Sequence, residues 1–243
     1  MKRRAALVLV CSFAAGCMNR VADHCVACSV VNEAQRPPAA VRIKAGPLVV
    51  LVHGAFGFGD EWDPIVAALR RSPEIPFVVF AWRGPFHDLS GAVADLTAVV
   101  QGALDQSPGL TEVLILAHSA GGPLATRAAL RLRVPEGRRV RLAEIDSPAL
   151  INGCPFFPDR LPAMPEMPPG AKRIVYVAKT APRRSGAGDP RRVYLGASID
   201  HDRAVALVGL PLLAELAARA RQRALADPQP SARAVGLPVE FGR

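Results

Sequence analysis

The stretch LILAHSAGGPLA, residues 114–125, stops an aliphatic run on Ser119 and resumes as a helix-like run. Residues with almost no side chain surround that serine: Ala117, Ala120, Gly121 and Gly122. Two readings compete, a tight turn holding a structural serine and a strand-to-helix elbow that lifts a nucleophilic hydroxyl to the top of a sheet. An elbow forces its serine into a strained backbone conformation, so neighbours without bulk are required on both sides. A helix beginning just after the serine also points its positive end toward negative charge forming near the hydroxyl. Set between a buried strand and a helix, the stretch favours the nucleophile.

Outward from Ser119 the chain alternates. Before it lie the β-branched run PLVVLVHG (47–54), a helical pattern in DEWDPIVAALRRS with Trp62, Ile65, Val66 and Leu69 on one side, the strand FVVFAWRG (77–84), and an amphipathic helix over 90–106 with Ser90 at its N-cap. The strand EVLILAH enters the elbow. After it come the helix GGPLATRAALRLRV, the strand RVRLAEID, a Pro-rich passage from Ser147 to Gly170, the strands RIVYVAK and RVYLGAS, and a last helix over 203–226 with Pro211 as a site for a bend. Continuous apolar strands alternating with helices predict an α/β three-layer sandwich, a mostly parallel sheet with helices on both faces.

The 243 residues, half of them apolar and 21% charged, suit one such domain with a sizeable core. The net charge is +9, and the arginines are scattered rather than gathered into a stripe. Nucleic acid is therefore not an expected partner. The N-terminus MKRRAALVLVCSFAAGC has a basic start, an apolar run and small residues before Cys17. It reads as a secretory signal over 1–16, too short for a spanning helix, which needs roughly 20 apolar residues. AAGC resembles the lipobox of bacterial lipoproteins, with Ala14 where that family usually has Leu. The resemblance implies lipidation at Cys17, a membrane anchor, and a site on the periplasm-facing side of a bacterial membrane. Residues 17–45 read as a tether, 46–226 as the domain and 227–243 as a tail. In an oxidising compartment Cys25, Cys28 and Cys154 leave either one disulfide or free thiols, and no second ligand pair makes CVAC a zinc site.

In open α/β sheets function gathers beyond the carboxyl ends of the strands. That rule singles out HGAFGFG, AHSAGG, EIDSP and ASIDHD, which carry Ser, Asp and His in that order. From LVVLVHG to the last helix the chain resembles the α/β-hydrolase family, AHSAGG standing where the family has G-x-S-x-G, with Ala117 for the first Gly. The resemblance implies a serine hydrolase without metal or organic cofactor: Ser119 as nucleophile, His201 as its base, and oxyanion-hole donors at Ala55 (Phe56 being the alternative) and Ala120. His53 is implied to be structural. For the acid, the family's usual loop after RIVYVAK offers first Asp189, in GAGDPRRV, whereas Asp146 ends a strand at once, as the acid of pancreatic-type lipases does. Asp146 is preferred and Asp189 stays open. Asp200 and Asp202 adjoin His201 too closely to fold back onto its ring.

The Pro-rich passage, delimited as 150–171, carries Phe156, Phe157, Leu161, Met164 and Met167 and is expected to form a flap or loop. Phe156 and Phe157, with Phe56 from the oxyanion loop, are the expected substrate-binding residues for an acyl chain; Phe58 and Trp62 could line the same cleft, with Trp62 equally readable as core. The expected substrate is a small-molecule or lipid ester. An acyltransferase or thioesterase would use the same covalent intermediate, and a catalytically silent hydrolase fold with a binding or scaffolding role is the alternative from another class.

Overall fold

The computed structural model describes residues 28–30, 43–54, 60–82, 89–147, 165–177, 192–195, 199–200 and 202–226. Among the described residues, seven strands form one sheet: β1 (Cys28–Val30), β2 (Gly46–Val52), β3 (Phe77–Ala81), β4 (Leu110–His118), β5 (Arg139–Ile145), β6 (Ala171–Val177) and β7 (Arg192–Tyr194). Their spatial order is β1-β3-β2-β4-β5-β6-β7, and every pairing is parallel. The helices are α1 (Asp63–Arg70), α2 (Leu89–Gln106), α3 (Gly121–Ala129) and α4 (Arg203–Ala226), and a 3₁₀ turn over Asp60–Trp62 leads into α1.

The apolar runs are continuous because both faces of the sheet are covered. Along β2, Leu48, Val50 and Val52 enter one core with Val113, Ile115 and Ala117 of β4, against Leu96, Val100 and Leu104 of α2 and Leu124, Ala125 and Ala128 of α3. Val49 and Leu51 face the other core with Leu114 and Leu116, against Ile65 and Leu69 of α1 and Ala204, Val205 and Val208 of α4. This is the expected three-layer sandwich.

The sheet order places the site. From β2 the chain goes to β3 on one side, then crosses back to β4 on the other. A crevice therefore opens between the carboxyl ends of β2 and β4, where outgoing connections leave in opposite directions. His53-Gly54 ends one wall and His118-Ser119 the other.

Three details depart from the sequence reading. Residues 28–30, within the expected tether, form β1 against Val79–Ala81 of β3; three residues are too few for alternation to show. Helix α2 begins at Leu89, so Ser90 lies in its first turn rather than at its cap, and α3 stops at Ala129, short of Val134. Met167, in the passage expected to form a flap or loop, packs on the core that Val134 and Ala171 also line. Parallel pairing explains this. The chain must return from the top of β5 to the bottom of β6, and Met167 lies four residues before β6 starts.

Candidate active site

Ser119 follows directly on β4, and its N–H continues the ladder by donating to Ile145 O at 3.0 Å. Its φ is +50°, the left-handed region that a residue with a Cβ enters at a cost of about 1–3 kcal/mol. Gly122 N–H donates back to Ser119 O at 3.1 Å, which closes the elbow into α3. The small neighbours are required by contact. A Cβ on Gly121 would lie 2.5 Å from His53 O and 2.6 Å from Val52 O, while one on Gly54 would lie 2.9 Å from Ser119 Cβ. The β2 terminus and the elbow are thus packed backbone against backbone. Ala120, expected to give one oxyanion-hole donor, is buried and stands at the head of α3.

Asp146 occupies the equivalent place one strand over. His118 pairs with Ile145, so Ser119 and Asp146 are the next residues beyond β4 and β5. Asp146 N–H donates to Tyr176 O at 2.7 Å, and its φ is also +50°. Two adjacent strands therefore end on left-handed non-glycine residues. Such a pair persists only where the surroundings over-determine it.

His53 is placed away from base chemistry. The Trp82 N–H donates to His53 Nε2 at 3.0 Å, so the ring carries its proton on Nδ1, which donates to Gly54 O at 2.7 Å. Trp82 Nε1–H donates to His53 O, and the two rings stack with centroids 5.9 Å apart. Burial, above all other influences, holds the imidazole pKa below its ordinary value. With both nitrogens engaged the ring fixes the Gly54 carbonyl, the structural role that the family resemblance implies.

Helix α4 follows directly on Asp200 and Asp202. Asp200 Oδ1 accepts from the Arg203 N–H at 2.7 Å, capping α4, so its carboxylate is committed to the helix terminus. Helix α4 runs from the top of the sheet to its bottom: Ala204 and Val205 pack in the core that holds Ile145, and Arg219 meets Glu112 at the start of β4. At Gly209, a Cβ would lie 3.5 Å from Leu116 Cδ1. Six helical residues above Gly209 rise about 9 Å; the three strand residues from Leu116 to Ser119 rise about 10 Å. The start of α4 therefore stands near the height of Ser119.

Of the expected site residues, Ser119, Ala120 and Asp146 come together at the ends of β4 and β5. Ala55, Phe56, Phe156, Phe157, Asp189, His201 and Cys17 lie outside the described residues, as does Phe58. Trp62 is core, with 1% of its surface exposed. Sequence reasoning missed Glu61. Its Oε1 accepts from the Gly54 N–H at 3.3 Å and lies 3.3 Å from His118 Nδ1. Burial alone would raise its carboxyl pKa, but the neighbouring His118 and His53 imidazoles and the Gly54 N–H hold it below the ordinary value. A signal existed: Glu61 is four and eight residues before Ile65 and Leu69, an acid in phase with a buried helical stripe.

A groove of ~1080 Å³ lined by Gly46, Pro47, Glu112, Leu216 and Arg219 lies at the amino ends of β2 and β4, the far end from Ser119. Among the described residues no cluster of His, Cys, Asp and Glu could hold a metal ion, and no helix is long and apolar enough to cross a membrane.

No curated protein matches the chain. Among solved structures it is similar to the "putative cell surface hydrolase from Lactobacillus plantarum WCFS1", with 15% identity and a TM-score of 0.44 over 76% of this chain and 98% of that one. The Alpha/beta hydrolase family matches residues 49–240, from within β2 to beyond α4, and the chain belongs to that family.

Proposed function

We propose that the chain is a serine hydrolase that cleaves carboxylic esters through an acyl-enzyme. The observation that carries this reading is the left-handed Ser119 at the switch-point crevice, packed against Gly54 and followed at once by α3. In this scheme Ser119 Oγ attacks the ester carbonyl while His201 takes its proton. The tetrahedral oxygen is held by the backbone N–H groups of Ala55 and Ala120, and preorganised donors of this kind contribute roughly 2.7–4 kcal/mol each. His201 returns the proton to the leaving alcohol, water then releases the acyl group, and Asp146 orients the imidazole throughout. The placement of Asp146 supports that assignment. Ile145, one residue before it, shares a core with Ala204 and Val205, three and four residues after His201. In the same proposal a signal over 1–16 exports the chain and lipid on Cys17 tethers it to a membrane; the substrate is a small or lipid ester, with Phe56, Phe156 and Phe157 on its acyl chain.

A fluorophosphonate probe tests the central claim. The folded wild type should be labelled on Ser119, and Ser119→Ala should not. An unlabelled but folded wild type would instead favour a silent hydrolase fold with a binding role.

A further inference from the structure

Catalysis at a serine elbow depends on two backbone donors that belong to different strands. In the proposed scheme one would come from the residue after Gly54, beyond β2, and the other from Ala120, beyond β4. Their spacing must suit an oxygen that exists only in the transition state, and a misplacement of about 1 Å can cost roughly 100-fold in rate. Something has to hold the two strand ends in register beyond the last paired residues, Val52 and Ala117.

A single carboxylate oxygen lies between them. Glu61 Oε1 takes the Gly54 N–H on the β2 side and faces His118 Nδ1 on the β4 side, each at 3.3 Å. His118 is the residue before Ser119, and Gly54 is in contact range of Ser119 itself. Gly54 is also gripped at its other end, since His53 Nδ1–H holds its carbonyl. Both peptide units of Gly54 are therefore fixed, one by His53 and one by Glu61. The carboxylate comes from a third element, the 3₁₀ turn, whose next residue Trp62 is locked in the α1/α4 core.

We infer that Glu61 is a positioning residue, tying the end of β2 to the nucleophile elbow through Gly54 and His118 and so holding the peptide of Gly54 at the distance from Ala120 that the proposed scheme requires. It touches no reacting atom in this scheme. The inference rests on the esterase reading, and its effect belongs to kcat: the spacing matters to the tetrahedral state and little to ground-state ester binding.

The test compares wild type, Glu61→Ala and Glu61→Gln on a short p-nitrophenyl ester, with the second-order rate of fluorophosphonate labelling and a thermal melt run on each protein. Glu61→Ala should lose roughly 30–100-fold in kcat by the misplacement argument, with KM within about threefold. Its labelling should slow in the same proportion, because the phosphonyl oxygen uses the same donors. Glu61→Gln keeps an acceptor for the Gly54 N–H, so it should recover to within about tenfold of wild type. The inference is overturned if a folded Glu61→Ala retains kcat within threefold, if its loss lies in KM, or if the glutamine variant is as poor as the alanine one. Should Glu61→Ala fail to fold, Glu61→Gln decides: it must melt like wild type and still lose several-fold in kcat with KM unchanged. Failure of the wild type to be labelled would sink the esterase reading and this inference with it, whereas a labelled wild type with unaffected variants would sink only this one.

Discussion

The buried ion pair beside the elbow offers the sharpest test of how the fold holds its site. Glu144 of β5 and Arg173 of β6 meet through two bonds, Nε to Oε1 at 2.7 Å and an Nη to Oε2 at 2.8 Å, and the Thr126 hydroxyl of α3 donates to the same carboxylate. Their side chains are 0% and 2% exposed. Replacing such a pair by apolar groups of matched shape can be nearly neutral, but removing one partner strands a charge and typically costs about 3–5 kcal/mol. Arg173→Met is the perturbation, because methionine refills most of the space and leaves the carboxylate with the Thr126 hydroxyl to bond it. The expected loss is about 3–5 kcal/mol, or roughly 10 °C in Tm for a domain of this size. Glu144→Gln in the Arg173→Met background removes the stranded charge while keeping an acceptor for Thr126, and should restore about 2 kcal/mol of that loss. Urea unfolding at pH 7 reads these values through Trp62 and Trp82, both at most 2% exposed in the folded state. The reasoning fails if Arg173→Met costs under about 1 kcal/mol, or if adding Glu144→Gln lowers stability further.

The same geometry sets three other outcomes. Gly54→Ala would set a methyl 2.9 Å from Ser119 Cβ, so fluorophosphonate labelling should fall at least tenfold while the protein stays folded; unchanged labelling would show that the two strand ends are not in contact. Ser119→Gly relieves the +50° φ, and it should be more stable to urea than Ser119→Ala by about 1 kcal/mol, with both inactive; equal stability would argue against backbone strain. Asn also tolerates the left-handed region, so Asp146→Asn should melt near wild type yet lose most of its ester turnover, while Asp189→Asn keeps its own; the reverse pattern would make Asp189 the acid.

Much of the architecture was legible because its signals are local. A run such as LVVLV can sit only where both faces are covered, and small residues around Ser119 can serve only a close approach. The structure bears this out in the two-sided core of β2 and in the contacts of Gly54 and Gly121. What could not be read depends on partners distant in sequence. Glu61 reaches His118 across 57 positions, and Glu144 meets Arg173 across 29. The β5 and β6 charges each interrupt an apolar phase: Arg173 shares a strand face with Val175 and Val177, and Glu144 with Val140 and Leu142. Sequence marks such residues as anomalies without naming their partners. Whether Met167 belongs to a flap or a packed loop was likewise open in the sequence, since an apolar residue in a long crossover packs wherever the chain re-enters the sheet.

The pH dependence of folding should expose the other half of the arrangement. His53 is buried, and its pKa is held below the ordinary 6.5, so the unfolded chain takes up this proton more readily than the folded one. Stability is then complete above about pH 6.5 and declines as the pH falls toward the folded value, by up to about 1.4 kcal/mol per pH unit for one group. Glu61 acts in a lower window. Its depressed carboxyl contributes stability that is present above the ordinary 4.5 and is lost as the pH falls through its folded value. The order matters, because protonating His53 on Nε2 removes the acceptor of the Trp82 N–H, and the same ring holds the carbonyl of Gly54, the residue that abuts Ser119. Acid should therefore loosen the turn at Gly54 before it unfolds the sheet. Urea unfolding at pH 7.5, 6.0 and 5.0 should show a clear decline for wild type and a flatter one for His53→Gln, whose amide can still donate to Gly54 O but does not titrate. Parallel declines in the two proteins would remove His53 as the source.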